Sequence, residues 1–219
     1  MGGAVVVVDV IRAFTTAAYA LSAGAAAVYL VGTVAEALAF VDAHPGAWAM
    51  GEDHGRRPDG FALPNSPAMA AASDLGGRTV VQRTSAGTQG VVAAARTAER
   101  LWCTGLACAS ATAAAVRGSG LGAPTYVLTG WFTDRPGYEG TDDRLTAELV
   151  ERARVGAPLD AEATAAAVAA SDEALRTLAL GDGHVHPDDI VLATRVDAFD
   201  FAMEVERAPD GLRLVPRTP

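Results

Sequence analysis

Val5 to Val8 form an unbroken apolar run that stops at Asp9, and a mixed stretch with Arg12, Thr15 and Thr16 follows before the Ala-rich stretch AAYALSAGAAA takes over. A short β-branched segment, a polar or Gly-containing loop and an Ala-rich helical pattern are the parts of a βα unit, and the chain repeats them. The first unit predicts a strand over Ala4 to Val8, a loop over Asp9 to Thr16 and a helix from about Ala17. A strand near Val28 to Val31 then leads into a helix beginning about Val34. Thr79 to Gln82, the loop Arg83 to Gly90 and a helix from Val91 make the third unit. Leu101 to Cys103, a Gly/Ala/Ser loop and a helix from about Ser110 make the fourth. A fifth strand, Thr125 to Thr129, precedes a long loop with Arg135, Pro136 and Gly137, after which Asp142 is placed to cap a helix running through Arg154.

Two segments break this rhythm. GEDHGRRPDGFALPNSP, between Trp48 and Ala68, is dense in Gly, Pro and charge and too irregular for a helix or a central strand, so it reads as a functional or edge loop. From Asp189 to Pro219 apolar residues alternate as in strands, with a turn at Ala208, Pro209, Asp210 and Gly211, a pair expected to close an edge of the sheet. The pattern as a whole predicts an α/β fold, layered α/β/α around a mixed, largely parallel sheet. The 219 residues suffice for one sizeable core, so residues 1–219 are read as a single α/β domain or two closely packed lobes.

Half the residues are apolar and a fifth charged, which suits a globular chain and is too hydrophobic for a disordered one. A formal net charge of −9 argues against a nucleic-acid partner. It leaves room for a small anion held by a few local cations, a metal ion and backbone amides. Cys103 and Cys108 straddle a predicted strand end and are poorly spaced for a structural disulfide, so a reducing cytoplasm is expected. No basic leader precedes the valine run and Asp9 interrupts it, so neither secretion nor membrane spanning is expected. A simple homo-oligomer is compatible with this composition.

In open α/β sheets ligands sit beyond the carboxyl ends of the strands, where loops enter helix N-termini whose amides favour anions. Polar residues of this chain gather at those positions. Asp9, with Arg12 three residues on, either holds a divalent cation or attacks phosphorus, or else caps the next helix with Arg12 as its ion-pair partner. In GEDHG a hard cation such as magnesium selects carboxylate over imidazole, which makes Glu52 a candidate ligand. Arg56 and Arg57 either meet a second anionic group on a substrate or form a solvated charge cluster. Thr84, Ser85, Gly87 and Thr88 in RTSAGTQG make either an anion cradle or a capped helix start, and the loop has no Walker ending. Asn65 and Ser66, before Pro67, either orient a substrate or form a turn. Of Asp142 and Asp143, one caps a helix while the other faces the cleft, or both serve only the helix start. His184 and His186 share a face but lack a third ligand for zinc. Serine-hydrolase and redox motifs are missing.

Taken in order, VVVVDVIRAFTTAAYALSAGA, GEDHGRRPDGFALPNSP and VVQRTSAGTQGV resemble the successive signatures of the 2-phosphosulfolactate phosphatase family, and DRPGYEGTDDRLTAELVE and DIVLATRVDAFDF continue the likeness over nearly the whole chain. The resemblance implies a magnesium-dependent acid phosphatase that hydrolyses 2-phospho-3-sulfolactate to sulfolactate and phosphate, a step of coenzyme M biosynthesis in the family's founding members. It matches Asp9 and Arg12 to the family's Asp-Val-Leu-Arg, Glu52 to its Gly-Glu, Asn65 to Pro67 to its Asn-Ser-Pro, Gly87 and Thr88 to its Gly-Thr, and Asp143 to its late acidic pair. The expected site therefore has Asp9 and Arg12 as catalytic residues and Asp9, Glu52 and Asp143 around Mg2+. Arg56, Asn65, Ser66, Thr84, Ser85, Gly87 and Thr88 are expected to contact a small anionic phosphate ester. The chain departs from the family where Ser85 and Ala86 replace Thr-Asn, and near Ala109, where another Asn is usual. Relatives also carry a segment ahead of the first signature. A non-catalytic or substrate-diverged anion-binding relative with a regulatory role is the alternative that these departures leave open.

Overall fold

The computed structural model describes residues 3–130 and 139–219, so the predicted loop positions Arg135, Pro136 and Gly137 lie outside the described residues. The first half of the chain runs β1 (Ala4–Val8), α1 (Ala13–Ser22), β2 (Ala27–Leu30), α2 (Val34–Ala43), β3 (Trp48–Gly51), β4 (Leu63–Pro64), α3 (Pro67–Ala71), β5 (Thr79–Arg83) and α4 (Gly87–Ala94). It continues with β6 (Arg100–Thr104), a 3-10 turn at Leu106–Cys108, α5 (Ala109–Gly118), β7 (Thr125–Leu128), α6 (Thr141–Val155), α7 (Ala161–Ala169), α8 (Asp172–Leu178) and α9 (Asp189–Ala193), and ends in β8 (Ala202–Ala208) and β9 (Gly211–Arg217).

Both faces of the sheet are covered, which explains why the strands read as apolar runs rather than alternating ones. Successive side chains still point to opposite sides. In β1, Val7 joins α1, α3 and α4 in one core, while Ala4, Val6 and Val8 join α5 and α6 in another. In β5, Val80 belongs to the α1 core and Val81 to a smaller one under α2, with Phe40 and Phe61. The helices therefore flank the sheet on two sides, the expected α/β/α layering. Local signals define several ends: a capping box of Thr33 and Glu36 starts α2, Ser66 followed by Pro67 starts α3, and left-handed Gly156 ends α6.

The sheet has nine strands among the described residues, in the order β4-β3-β5-β2-β9-β8-β6-β1-β7. β4, β3, β5 and β2 are parallel, and so are β6, β1 and β7. The β8–β9 hairpin joins the two blocks through three antiparallel pairings. An odd number of antiparallel junctions makes the blocks formally oppose each other. Twist offsets this: neighbouring strands rotate by about 20–25°, so the five steps from β5 to β1 accumulate roughly 100–125°. Carboxyl ends that would point apart in a flat sheet are thereby brought towards one another around α1.

The hairpin turns at Ala208 to Gly211, as its sequence predicts, but it fills the centre of the sheet between β2 and β6 instead of closing an edge. Asp189–Ala193 is a helix and not the start of the strand pattern. The edges are β7 and the two-residue β4, the latter inside the irregular segment, whose beginning also contributes the end of β3. Helices α1 and α4 start four residues earlier than their composition suggests. Thr15 and Thr16 look loop-like by propensity, yet both are buried, and Thr15 Oγ1 donates to Val10 O. Cys103 and Cys108 are buried free thiols. Among the described residues no helix is long and apolar enough to cross a membrane.

Candidate active site

Asp9 stands where β1 ends, and its carboxylate is held from three sides. Oδ1 accepts the Ala13 amide of the first turn of α1 at 2.9 Å, and Oδ2 accepts Thr129 Oγ1 at 3.1 Å. The backbone N–H of Gly87, at the start of α4, donates to the same group. A Cβ on Gly87 would lie 2.7 Å from Asp9 Oδ2 and 2.7 Å from Ala13 Cβ, so only glycine lets α4 come this close. Capping and site placement are thus one arrangement. Burial pushes the Asp9 carboxyl up to about 6 against these donors, with the charge of Glu52 adding to the rise.

Arg12 does not pair with Asp9. Its Nη1 donates to Asp189 Oδ2 at 2.8 Å and to His184 O at 2.9 Å, and the ion pair is buried, with side-chain exposures of 2% and 0%. Asp189 also accepts Ser66 Oγ at 2.6 Å, Ala68 N at 3.1 Å and His186 N at 3.0 Å. One carboxylate therefore joins the β1–α1 loop, the start of α3 and the 184–189 loop. His184 Nδ1 accepts the Arg57 amide, so this histidine ties loops together.

Glu52 has both oxygens occupied by the chain. Oε1 accepts the Ser85 amide, and Oε2 accepts Gly55 N at 2.6 Å and Ser85 Oγ at 3.1 Å. In RTSAGTQG, Thr84 and Thr88 cap one another: Thr84 Oγ1 accepts Thr88 N at 3.0 Å, and Thr88 Oγ1 accepts Thr84 N at 2.9 Å. The loop is an anion cradle, but the anions in it are Glu52, through Ser85 N, and Asp9, through Gly87 N.

At the start of α6, Gly140 occupies the cap position and both aspartates lie in the first turn, so Asp142 is not the cap. Asp143 Oδ1 accepts Val10 N at 2.9 Å and Oδ2 accepts Gly130 N at 2.8 Å, which ties α6 to the strand ends. Asp142 is 2% exposed, and its Oδ1 has no partner among the described residues. Burial, then the charges of Glu173 and Asp9, push Asp142 up to about 7. Burial and the neighbouring Asp142 and Asp9 raise Asp143 well above the usual carboxylate range.

A cleft of about 290 Å³ collects Asp9, Arg12, Glu52, Asn65, Ser85 and Asp143 of the expected residues. Asp142, Glu173 and Arg176 also line it. Asn65 Oδ1 is buried and unpartnered among the described residues. Arg56 is exposed and outside the cleft, its backbone paired with Asp53, because the segment turns back at His54 and Gly55. Ser66 does not line the cleft and is held between Asp189 and Met69 N; Thr84, Gly87 and Thr88 do not line it either, the two threonines bonding to each other and Gly87 packing against Asp9. The sequence reading missed Asp189, Glu173 and Arg176. An acidic residue in a predicted strand, or on an anonymous Ala-rich helix, gives no local signal of a partner far away in the chain.

Among the described residues no set of three or more Asp, Glu, His or Cys side chains stands ready to hold a metal ion. Magnesium needs no such cage, since it commonly takes one or two carboxylates and completes its octahedron with water and phosphate oxygens. The buried, unpartnered Oδ1 of Asp142 fits that demand, whereas the oxygens of Glu52 and Asp143 are engaged by amides.

A family model described as 2-phosphosulpholactate phosphatase matches residues 1–206. The chain is 34% identical over 205 residues to a Bacillus subtilis protein named "Probable 2-phosphosulfolactate phosphatase", the match covering 92% of this chain and 86% of that one. A Thermus thermophilus protein of the same name is 41% identical over 146 residues, or 67% of this chain and 59% of that one. A third, from Deinococcus radiodurans, is 40% identical over 95 residues, covering 43% of this chain and 40% of its own.

Proposed function

The chain belongs to the 2-phosphosulfolactate phosphatase family, and from that premise we propose that its cleft hydrolyses a small, multiply anionic phosphate monoester with magnesium as cofactor, 2-phospho-3-sulfolactate being the expected substrate. The observation that carries the reading is the meeting of Asp9, Arg12 and Asp142 in one strand-end cleft, although they come from β1, its following loop and α6. Bound magnesium supplies positive charge that offsets the phosphoryl oxygens. Asp142, whose Oδ1 has no partner among the described residues, is the residue that would hold the ion.

Among the described residues Arg12 commits only Nη1, to Asp189 and His184, so Nε and Nη2 would serve the phosphoryl oxygens, where a fixed guanidinium stabilises the charge of the transition state. Asp9, with its carboxyl raised to about 6, is suited to the reacting centre, as nucleophile or as the base that takes a proton from attacking water. Glu52 holds the Ser85 loop, and Asp143 holds Gly130 and Val10, so both act as supports. Asn65 lines the cleft, and its side-chain Nδ2 is the group that would donate to a further anionic group of the substrate.

The test is phosphate release by purified protein with magnesium from 2-phospho-3-sulfolactate and a panel of small phosphate esters. Turnover that Asp9→Asn abolishes, with the fold intact, is the expected result. No release from any ester, with binding of the phosphorylated acid retained, would establish a non-catalytic anion binder instead. Hydrolysis of an ester made chiral at phosphorus with oxygen isotopes separates the two roles of Asp9. Inversion of configuration at phosphorus indicates a single displacement by water; retention indicates two displacements through an aspartyl-phosphate.

A further inference from the structure

Helix α8 forms one wall of the cleft and packs against α6. Its Glu173 and Arg176 are one turn apart and face the same way, Arg176 Nη2 donating to Glu173 Oε1 at 3.1 Å. The other oxygen of Glu173, Oε2, is buried and has no partner among the described residues, on a side chain only 12% exposed. Asp142 Oδ1 is in the same condition. Both residues line the same cleft, on helices that pack together. Two carboxylates that line one cleft, each with a buried oxygen that no donor meets among the described residues, are left uncompensated, and a hard cation shared by them relieves this. The other acidic groups here lack this feature: Asp9, Glu52 and Asp143 have each oxygen engaged by an amide or hydroxyl.

We propose that Glu173 is a second protein ligand of the divalent cation, opposite Asp142, with water and phosphate oxygens filling the remaining positions. The inference rests on the reading that the cleft holds magnesium. It makes α8 part of the metal centre, and it sets Arg176, one turn further on, beside the bound ester.

The test uses the whole protein, stripped of metal, with Mn2+ binding followed by electron paramagnetic resonance and Mg2+ binding by calorimetry. Glu173→Gln preserves size and an acceptor for Arg176. It is expected to weaken both ions at least about tenfold, the least that loss of even an outer-sphere partner brings. Its melting temperature without metal should equal or exceed that of wild type, since a repulsion is removed. Wild-type binding lost in Asp142→Asn but retained in Glu173→Gln would overturn the inference and leave the proposed function standing. No binding by wild-type protein would overturn the magnesium reading itself. Anomalous scattering from Mn2+ in wild-type crystals serves if the variant does not fold: a peak touching both carboxylates supports the proposal, and a peak away from Glu173 refutes it.

Discussion

Asp189→Asn isolates the contribution of one buried carboxylate. In the native protein all four of its contacts are donors: Ser66 Oγ and Ala68 N on Oδ1, Arg12 Nη1 and His186 N on Oδ2. Asparagine can accept on one side only, so its NH2 faces two donors whichever way the amide is turned. The substitution also removes the charge opposite a guanidinium that is 2% exposed. Removing one partner of a buried pair costs about 3–5 kcal/mol, against a folding stability on the order of 5–15 kcal/mol. At about 2–4 °C per kcal/mol for a chain of this size, the melting temperature should fall by roughly 6–20 °C. Calorimetry or urea unfolding measures the loss, and phosphate release below the melting range measures its effect on Arg12. A displacement of about 1 Å at a positioning group lowers turnover by roughly a hundredfold, the activity loss expected alongside. Wild-type stability and turnover in Asp189→Asn would refute the account of Arg12 as fixed by Asp189.

Gly87→Ala should destabilise the fold by about 1–3 kcal/mol through overpacking and shift Asp9, a combined loss that urea unfolding and kinetics together detect; a neutral alanine would mean that α4 and Asp9 do not approach as described. The acidic cluster sets a pH dependence. The carboxyls of Asp9, at about 6, and Asp142, at about 7, are raised in the folded protein, so between the ordinary carboxylate range and these values the native state binds more protons than the unfolded one. Stability without metal should therefore fall as pH rises from about 4 to 7, and Asp142→Asn should flatten the slope. A thermal midpoint that climbs over this range in chelator would contradict it. Arg56→Ala, outside the cleft, should leave turnover and KM at wild-type levels, and a marked rise in KM would restore Arg56 to the substrate contacts.

The elements set by neighbours along the chain were legible in the sequence: the βα succession, the strand cores over Ala4 to Val8 and Thr79 to Gln82, the hairpin turn, and the cluster of polar residues after strands. Periodicity and turn chemistry act within a few residues, so composition alone reports them. Which surface the hairpin meets is decided at long range. Its alternation is equally suited to an edge or to the gap between β2 and β6, and only the need to cover both blocks of the sheet around α1 selects the gap. The same holds for the cleft. Sequence pattern brings Asp9, Glu52 and Asp143 forward as acidic groups at strand ends and helix starts, but their oxygens are claimed by amides that the fold places there. Asp142 and Glu173 stand out by an oxygen left unpaired among the described residues, and Arg12 and Asp189 by their pairing, only once distant segments pack together, because hydrogen-bond satisfaction in a buried site is a property of the assembled fold.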